Sequence, residues 1–183
     1  MPIQIIEYAG RKYPAFQSEG NAAQWAKPFA LHICQPDIKE GYDIGYCKDE
    51  WKLHPRSMGV DDGEIINAYH LPSMKVDYVF SSHCLEHLHD WVGALDHWSE
   101  RIREGGVMFL YLPHPDQTYW QPWHNRKHMS VLYPKMLEQY FIDRGWRNVF
   151  VSERDLNYSY IAMAEKSGKE YDSGAIQEKA TAL

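Results

Sequence analysis

The stretch Ser81–Trp91, SSHCLEHLHDW, gathers three histidines and a glutamate. His83 and His87 stand four apart, so a helix through both would set two imidazoles on one face. With Glu86 they make the HxxEH order in which two histidines hold zinc and the acid serves as base. His89 offers a third nitrogen. Two features weigh against that chemistry. The segment follows Val76–Phe80, VDYVF, an apolar and β-branched run that reads as a buried strand, so the histidines fall on a strand-to-helix turn. The chain also has 10 histidines, enough for a chance pair at this spacing. The expectation is therefore no metal, with a zinc hydrolase ranked last. Glu86 and His87 are expected to brace the turn through hydrogen bonds to backbone, and Leu85 and Leu88 to pack in the core.

Two further groups of residues could do chemistry. From His114 to Ser130 the chain turns polar and aromatic, bringing His114, Asp116, His124, Asn125, Arg126 and His128 together with Tyr119, Trp120 and Trp123. Histidine titrates in the range needed to take a proton from a hydroxyl. His114, just past a strand end, and His128, in NRKH, are the leading base candidates, with His83 third; surface histidines of a wet loop are the bland alternative. Trp120 and Trp123 could stack on a sugar or ring, or cover the sheet edge. Asp61, closing GVD, is a bidentate acceptor suited to a ribose diol, or else a solvated turn acid.

The elements that must position these groups alternate. Ala22, Trp25, Ala26, Phe29, Ala30 and Ile33 recur at helical spacing, with Pro28 expected to kink or restart the helix. GYDIG (41–45) and SMGVD (57–61) read as short strands, and EIINAYHLP (64–72) as a brief apolar pulse. After VDYVF, Asp90 is placed to cap a helix that Gly105-Gly106 stops. VMFLYLP (107–113) is the strongest strand, Pro134 opens a helix ended by Gly145, and NVFVS and SYIAMAE close the chain's strands. This alternation predicts a doubly wound, mostly parallel α/β sheet. In such sheets ligands bind beyond the carboxyl ends of the strands, where strand order reverses.

Bulk properties set the frame. A chain of 183 residues, 44% hydrophobic, fits one domain. A net charge of -6 argues against a nucleic-acid partner gripped through its phosphates. The N-terminus lacks the basic-then-apolar order of a secretory signal, and no apolar run approaches a membrane span. Three scattered cysteines suit a reducing compartment, and a soluble cytoplasmic protein is expected. Its oligomeric state is left open.

The series GYDIG, GVD, NAYHLP, VDYVFSSHCLEHL and REGGVMFLYLP resembles, in order and spacing, the class I S-adenosylmethionine-dependent methyltransferases, especially small ones acting on small molecules and glycans. The resemblance covers roughly residues 41–165. It implies a single Rossmann-like domain there, preceded by a helical lead-in (1–40) and followed by a polar tail that frays (166–183). It also implies S-adenosylmethionine as cofactor and a small-molecule or glycan-type acceptor. By the family's motifs, Asp43 and Gly45 lie in the first cofactor loop and Asp61 binds the ribose. Asn67 with Ala68 meets the adenine, and Ser81 and Ser82 with His83 pass beneath the methionine end. The loop from His114 to His128 would build the acceptor pocket. In the first loop this chain reads DIGYCKDEW, with one glycine where the family has two or three. Tyr46 and Cys47 must therefore point away or narrow the site. That departure motivates an alternative, a methyltransferase-fold binding or regulatory module without activity.

Overall fold

Met108, Leu110 and Leu112 point to one side of their strand, Phe109 and Tyr111 to the other, and all five are buried. A strand apolar on both faces belongs in the middle of a covered sheet. The computed structural model, which describes residues 5–8, 11–14 and 22–168, places it there. The strands are β1 (Ile5–Tyr8), β2 (Arg11–Pro14), β3 (Gly41–Ile44), β4 (Met58–Val60), β5 (Val76–Ser82), β6 (Ile102–Pro113), β7 (Arg147–Val151) and β8 (Ser159–Glu165). β1 and β2 pair as an antiparallel hairpin, and the others form one sheet in the order β4-β3-β5-β6-β8-β7. The four strands from β4 to β6 are parallel, while β8 runs antiparallel to both β6 and β7. A mixed, mostly parallel Rossmann-like sheet results, as the alternation of elements predicts.

The sheet is covered on both faces by different means. Helix α1 (Ala23–Cys34) lays Ala23, Ala26, Ala30 and Cys34 against Tyr78, Phe80, Phe109 and Tyr111. Small helix residues against large strand residues let the helix lie close while filling the space between. Helices α2 (Trp91–Arg101) and α3 (Pro134–Asp143) cover the other face with Ala94, Leu95, Trp98, Leu137 and Phe141. Asp90 caps α2 by accepting from the Gly93 N–H at 2.8 Å. Across the two helices, Asp96 accepts from the Tyr140 hydroxyl at 2.8 Å and from Arg144.

Several expectations change. The lead-in is not wholly helical, since β1 and β2 precede α1. Pro28 does not restart the helix: it sits on the exposed side of α1, where water can take the carbonyl it leaves open. The apolar stripe is also rotated from the expected one, because Trp25 and Phe29 face outward and the alanines face the aromatic sheet. Ile65 and Ile66 form no strand and are exposed, in a loop bridged at Asn67 and His70. Helix α2 stops at Arg101, before the glycines; Gly105 instead turns at positive φ inside β6, its N–H donating to the Lys166 carbonyl. Beyond Gly168 the tail expected to fray lies outside the described residues. Among the described residues no helix is long and apolar enough to cross a membrane.

Trp98 is fully buried, and its Nε1 donates to the Ala68 carbonyl at 2.6 Å, tying α2 to the loop that follows β4. Trp98→Ala should therefore lose about 3–5 kcal/mol of stability in urea unfolding. Trp98→Phe, which mainly removes the hydrogen bond, should lose about 1 kcal/mol.

Candidate active site

Strand order reverses around β3, since β4 lies on one side of it and β5, next in the chain, on the other. The carboxyl ends of all three meet at Gly45. Its φ is +81°, its N–H donates to the Val60 carbonyl at 2.7 Å, and a Cβ there would sit 2.5 Å from that of Cys84. Only glycine fits. Beneath this point the Ser81 hydroxyl donates to the Ile44 carbonyl at 3.0 Å, joining β5 to β3.

A cleft of about 550 Å³ opens beyond β3 and β4, lined among others by Gly45, Asp61, Asp62, Asn67, Ala68 and Tyr69. Asp61 stands half-buried at the end of β4. The Asn67 amide is engaged in its own turn, donating to the Gly63 carbonyl at 3.0 Å and accepting from the Tyr69 N–H at 2.9 Å. Tyr46 turns away from the cleft and lies over β4, where a Cβ on Gly59 would meet its ring at 2.5 Å. Cys47 does line the cleft, at φ +57°. Asp43 is buried outside it: its carboxylate accepts from the Leu53 N–H at 2.5 Å and so pins the 45–57 connector.

A second cleft, of about 440 Å³, lies over β5 and shares Gly45, Cys47, His83, His87 and Lys127 with the first. The two form one groove. Its far part is lined by Trp51, Ser82, Glu86, Tyr119, Trp120, His124, Asn125 and His128. The Trp120 ring stacks on His128 with centroids 5.3 Å apart and planes 13° from parallel. His83 follows β5 at φ +49°, its N–H donating to the Tyr111 carbonyl at 2.8 Å. Its Nε2 lies 2.9 Å from the Ser159 hydroxyl. Burial, with His128 and His87 adding to it, pulls His83 down to about 3. Burial likewise pulls His128 down to about 4, with His87 again reinforcing it. Both rings are therefore neutral at physiological pH. Burial raises the Glu86 carboxyl.

The groove collects some expected residues and not others. Gly45, Asp61, Asn67, Ala68, Ser82, His83 and His128 line it. Asp43 and Ser81 lie beneath it, holding the connector and the strands. His114 lines neither part: it stands behind Trp120 and His128 in a small enclosed cavity and faces Lys135 and Arg154 on its other side. Trp123 and Arg126 are exposed and line neither part. Glu86 and His87 do line it, and Glu86 braces nothing through its side chain: neither carboxylate oxygen accepts a hydrogen bond. The bracing is done by its backbone carbonyl, which accepts from the Met129 and Ser130 N–H groups. The inverted zinc motif has no helix to ride on, because Leu85–His87 is a single 3₁₀ turn. Trp51 and Lys127 were not singled out by the sequence. The aromatic ending of DEW and the basic NRK run are their only signals.

Burial raises the Asp43 carboxyl to about 6 from an ordinary 3.8, against the pull of the Leu53 N–H, Lys27 and Lys52. A raised carboxyl gives stability that is fully present below the unfolded value and lost as pH climbs through the folded one. Relative to Asp43→Asn, the wild type should therefore gain about 2 kcal/mol on going from pH 7 to pH 4, read from paired urea melts.

Comparison with known proteins agrees with this geometry. A family model described as a methyltransferase domain matches residues 15–151. No curated protein matches the chain at a significant level. Among solved structures, a SAM-dependent methyltransferase from Archaeoglobus fulgidus superposes with a TM-score of 0.58 at 18% identity, covering 83% of this chain and 99% of that one. The N-methyltransferase NodS from Bradyrhizobium japonicum, in complex with S-adenosyl-L-homocysteine, gives 0.56 at 11% identity, covering 82% and 91%. A chain of the complex between the Haloferax volcanii Trm112 methyltransferase activator and a methyltransferase gives 0.53 at 13%, covering 84% and 96%. With well over half of its length matched by the family model, the chain belongs to the class I S-adenosylmethionine-dependent methyltransferase family.

Proposed function

We propose that the chain transfers the methyl group of S-adenosylmethionine to a small-molecule or glycan-type acceptor held in the part of the groove under Tyr119–His128. The observation that carries this reading is the continuity of the groove: a strand-end part with Asp61 and an aromatic part with Trp51, Tyr119 and Trp120 join through Gly45, Cys47, His83 and His87. The residues of the first part suit the cofactor. Asp61 offers both carboxylate oxygens to a ribose diol, and Gly45, kept without a Cβ by the packing of Cys84, lines the cleft beside it. Of the two residues that could narrow the site, Tyr46 lies over β4 instead and Cys47 stays in the cleft wall, which supports room for the cofactor on the Tyr46 side. The Asn67 side chain and its backbone are both engaged within the loop, with Gly63, Tyr69 and His70, so contact with adenine there would fall to its neighbour Ala68.

When bound, the cofactor supplies a methyl group on a sulfonium, open to in-line attack by the acceptor. The protein's task is then mainly orientation. Trp51, Tyr119 and Trp120 present flat faces for a sugar or ring. His128, neutral and buried, would accept a hydrogen bond from an acceptor hydroxyl and align its lone pair with the methyl carbon. Ser82, whose hydroxyl is buried without a partner, would bond a group placed in the groove. His114 lies behind Trp120 and His128 and does not line the groove, so the base role is assigned to His128, with His83 behind it.

Titration calorimetry with S-adenosyl-L-homocysteine tests the reading. The wild type should bind, and Asp61→Ala should weaken binding about 10- to 100-fold, the loss of hydrogen bonds to a charged group. No heat at millimolar ligand from a folded wild-type chain would sink the proposal.

A further inference from the structure

Three imidazole nitrogens converge on one carboxylate oxygen. Glu86 Oε1 lies 3.6 Å from His87 Nε2, 3.8 Å from His83 Nδ1 and 4.0 Å from His128 Nε2. These separations are too long for hydrogen bonds. Glu86 is only 1% exposed, and its own backbone N–H lies near the carboxylate without meeting hydrogen-bond geometry. A buried carboxylate with both oxygens unsatisfied is costly and needs an account.

The far sides of the rings say what faces inward. His87 Nδ1 lies 2.8 Å from the Lys127 carbonyl, which can only accept, so Nδ1 carries a proton and Nε2 is the nitrogen turned toward Glu86. Ser159 Oγ donates to the Asn157 carbonyl and so receives the His83 Nε2 proton, which leaves the Nδ1 lone pair on the same side. The His128 ring is held by a hydrogen bond to the Trp120 backbone. Anchoring the far nitrogen of each histidine to a carbonyl or hydroxyl is how proteins orient metal-binding imidazoles. Lone pairs and a carboxylate that face one another repel unless something positive sits between them. A single proton joins one nitrogen to one oxygen and leaves the others unanswered.

We propose that Glu86, His87 and His128 bind a divalent transition-metal ion of the zinc class in the aromatic part of the groove. One donor atom from each of the three lies within 4.8 Å of the others. Ligands about 2.1 Å from a tetrahedral ion stand about 3.4 Å apart, so the oxygen-to-nitrogen gaps close with shifts of a few tenths of an ångström and the two imidazoles, whose nitrogens lie within 4.8 Å, would close by about 1 Å. Two imidazoles and one carboxylate suit zinc, cobalt(II) or iron(II), whereas magnesium and calcium take oxygen donors. Three protein ligands leave a coordination position open, and all three residues line the groove, so that position faces the acceptor. With the ion in place His128 is its ligand rather than the acceptor's hydrogen-bond partner, and an acceptor hydroxyl at the open position would lose its proton to solvent more readily. This last step rests on the methyl-transfer reading; the ion site itself does not.

The test uses the untagged full chain, freed of metal with a chelator and titrated with cobalt(II) and zinc(II) by visible absorption and calorimetry. One equivalent of cobalt should bind with a d–d spectrum of low coordination number, and zinc should displace it. Glu86→Gln and His87→Ala should each weaken cobalt binding about 100-fold or more. His87 is the safer variant, since its ring is part-exposed, and circular dichroism shows which variants fold. Absence of stoichiometric binding, or affinity unchanged in a folded variant, would overturn the site. Calorimetry with S-adenosyl-L-homocysteine on the same preparation separates the two ideas: metal without cofactor binding sinks the transfer reading alone, and cofactor without metal binding sinks the ion site alone.

Discussion

The close approach of Gly45 to Cys84 sets the rest of the molecule's functional end. Where β3 must receive β4 on one side and β5 on the other, the backbone has to turn without a side chain in the way, and the gap to Cys84 leaves no room for one. The Ser81–Ile44 hydrogen bond holds the two strands in that register. Once they are held, the chain leaving β5 must bend at once. His83 does so in the left-handed region, which costs a residue with a Cβ about 1–2 kcal/mol. That bend swings the 83–87 turn up beside the strand ends, and both parts of the groove take their shared wall from it.

The wall has a division of labour. Backbone carries the load: the Glu86 carbonyl takes two N–H groups from Met129 and Ser130, and Lys127 receives His87. These bonds dock the long loop after β6 onto the turn. Because the backbone does the docking, the Glu86 carboxylate and the inward nitrogens of the histidines are left uncommitted. A low-dielectric pocket amplifies the cost of uncommitted polar groups and also their hold on a ligand of the right charge.

Much of this was legible in the sequence, and the gaps have physical causes. VDYVF and VMFLYLP announce buried strands because their apolar runs are continuous, and Asp90 and Pro134 mark helix starts because capping is a local matter. Gly45 and Asp61 could be placed because strand ends locate ligand sites in any doubly wound sheet. The orientation of Tyr46 and the employment of Asp43 depend on partners in other segments, Gly59 and Leu53, so no local pattern reveals them. His114 and His128 look alike in sequence. They differ in the structure because His114 keeps to the β8 side, its N–H donating to the Tyr158 carbonyl, while the chain between them folds back over β5. HCLEH was legible as a turn, with His87 bonded to backbone and Leu85 in the core, but not in the Glu86 carboxylate, which has no hydrogen-bond partner there.

The connectors flanking β4 have a consequence of their own. Residues 45–57 contain only a single 3₁₀ turn, residues 61–75 contain no helix, and β4 is a three-residue edge strand. The opposite end of the sheet is packed by α3, while α2 holds the 61–75 connector only through Trp98 and His97, at Ala68 and Leu71. The two parts of the groove therefore rest on ground of unequal firmness. β4 is paired on one side only and flanked by loops, so less backbone pairing opposes its local opening than opposes that of β5 and β6, which are paired on both sides. A ligand seated on Asp61 must order its own wall, and the aromatic side, already built, inherits a completed neighbour. Such an arrangement favours filling the strand-end part first, with the aromatic part gaining affinity once its neighbour is set.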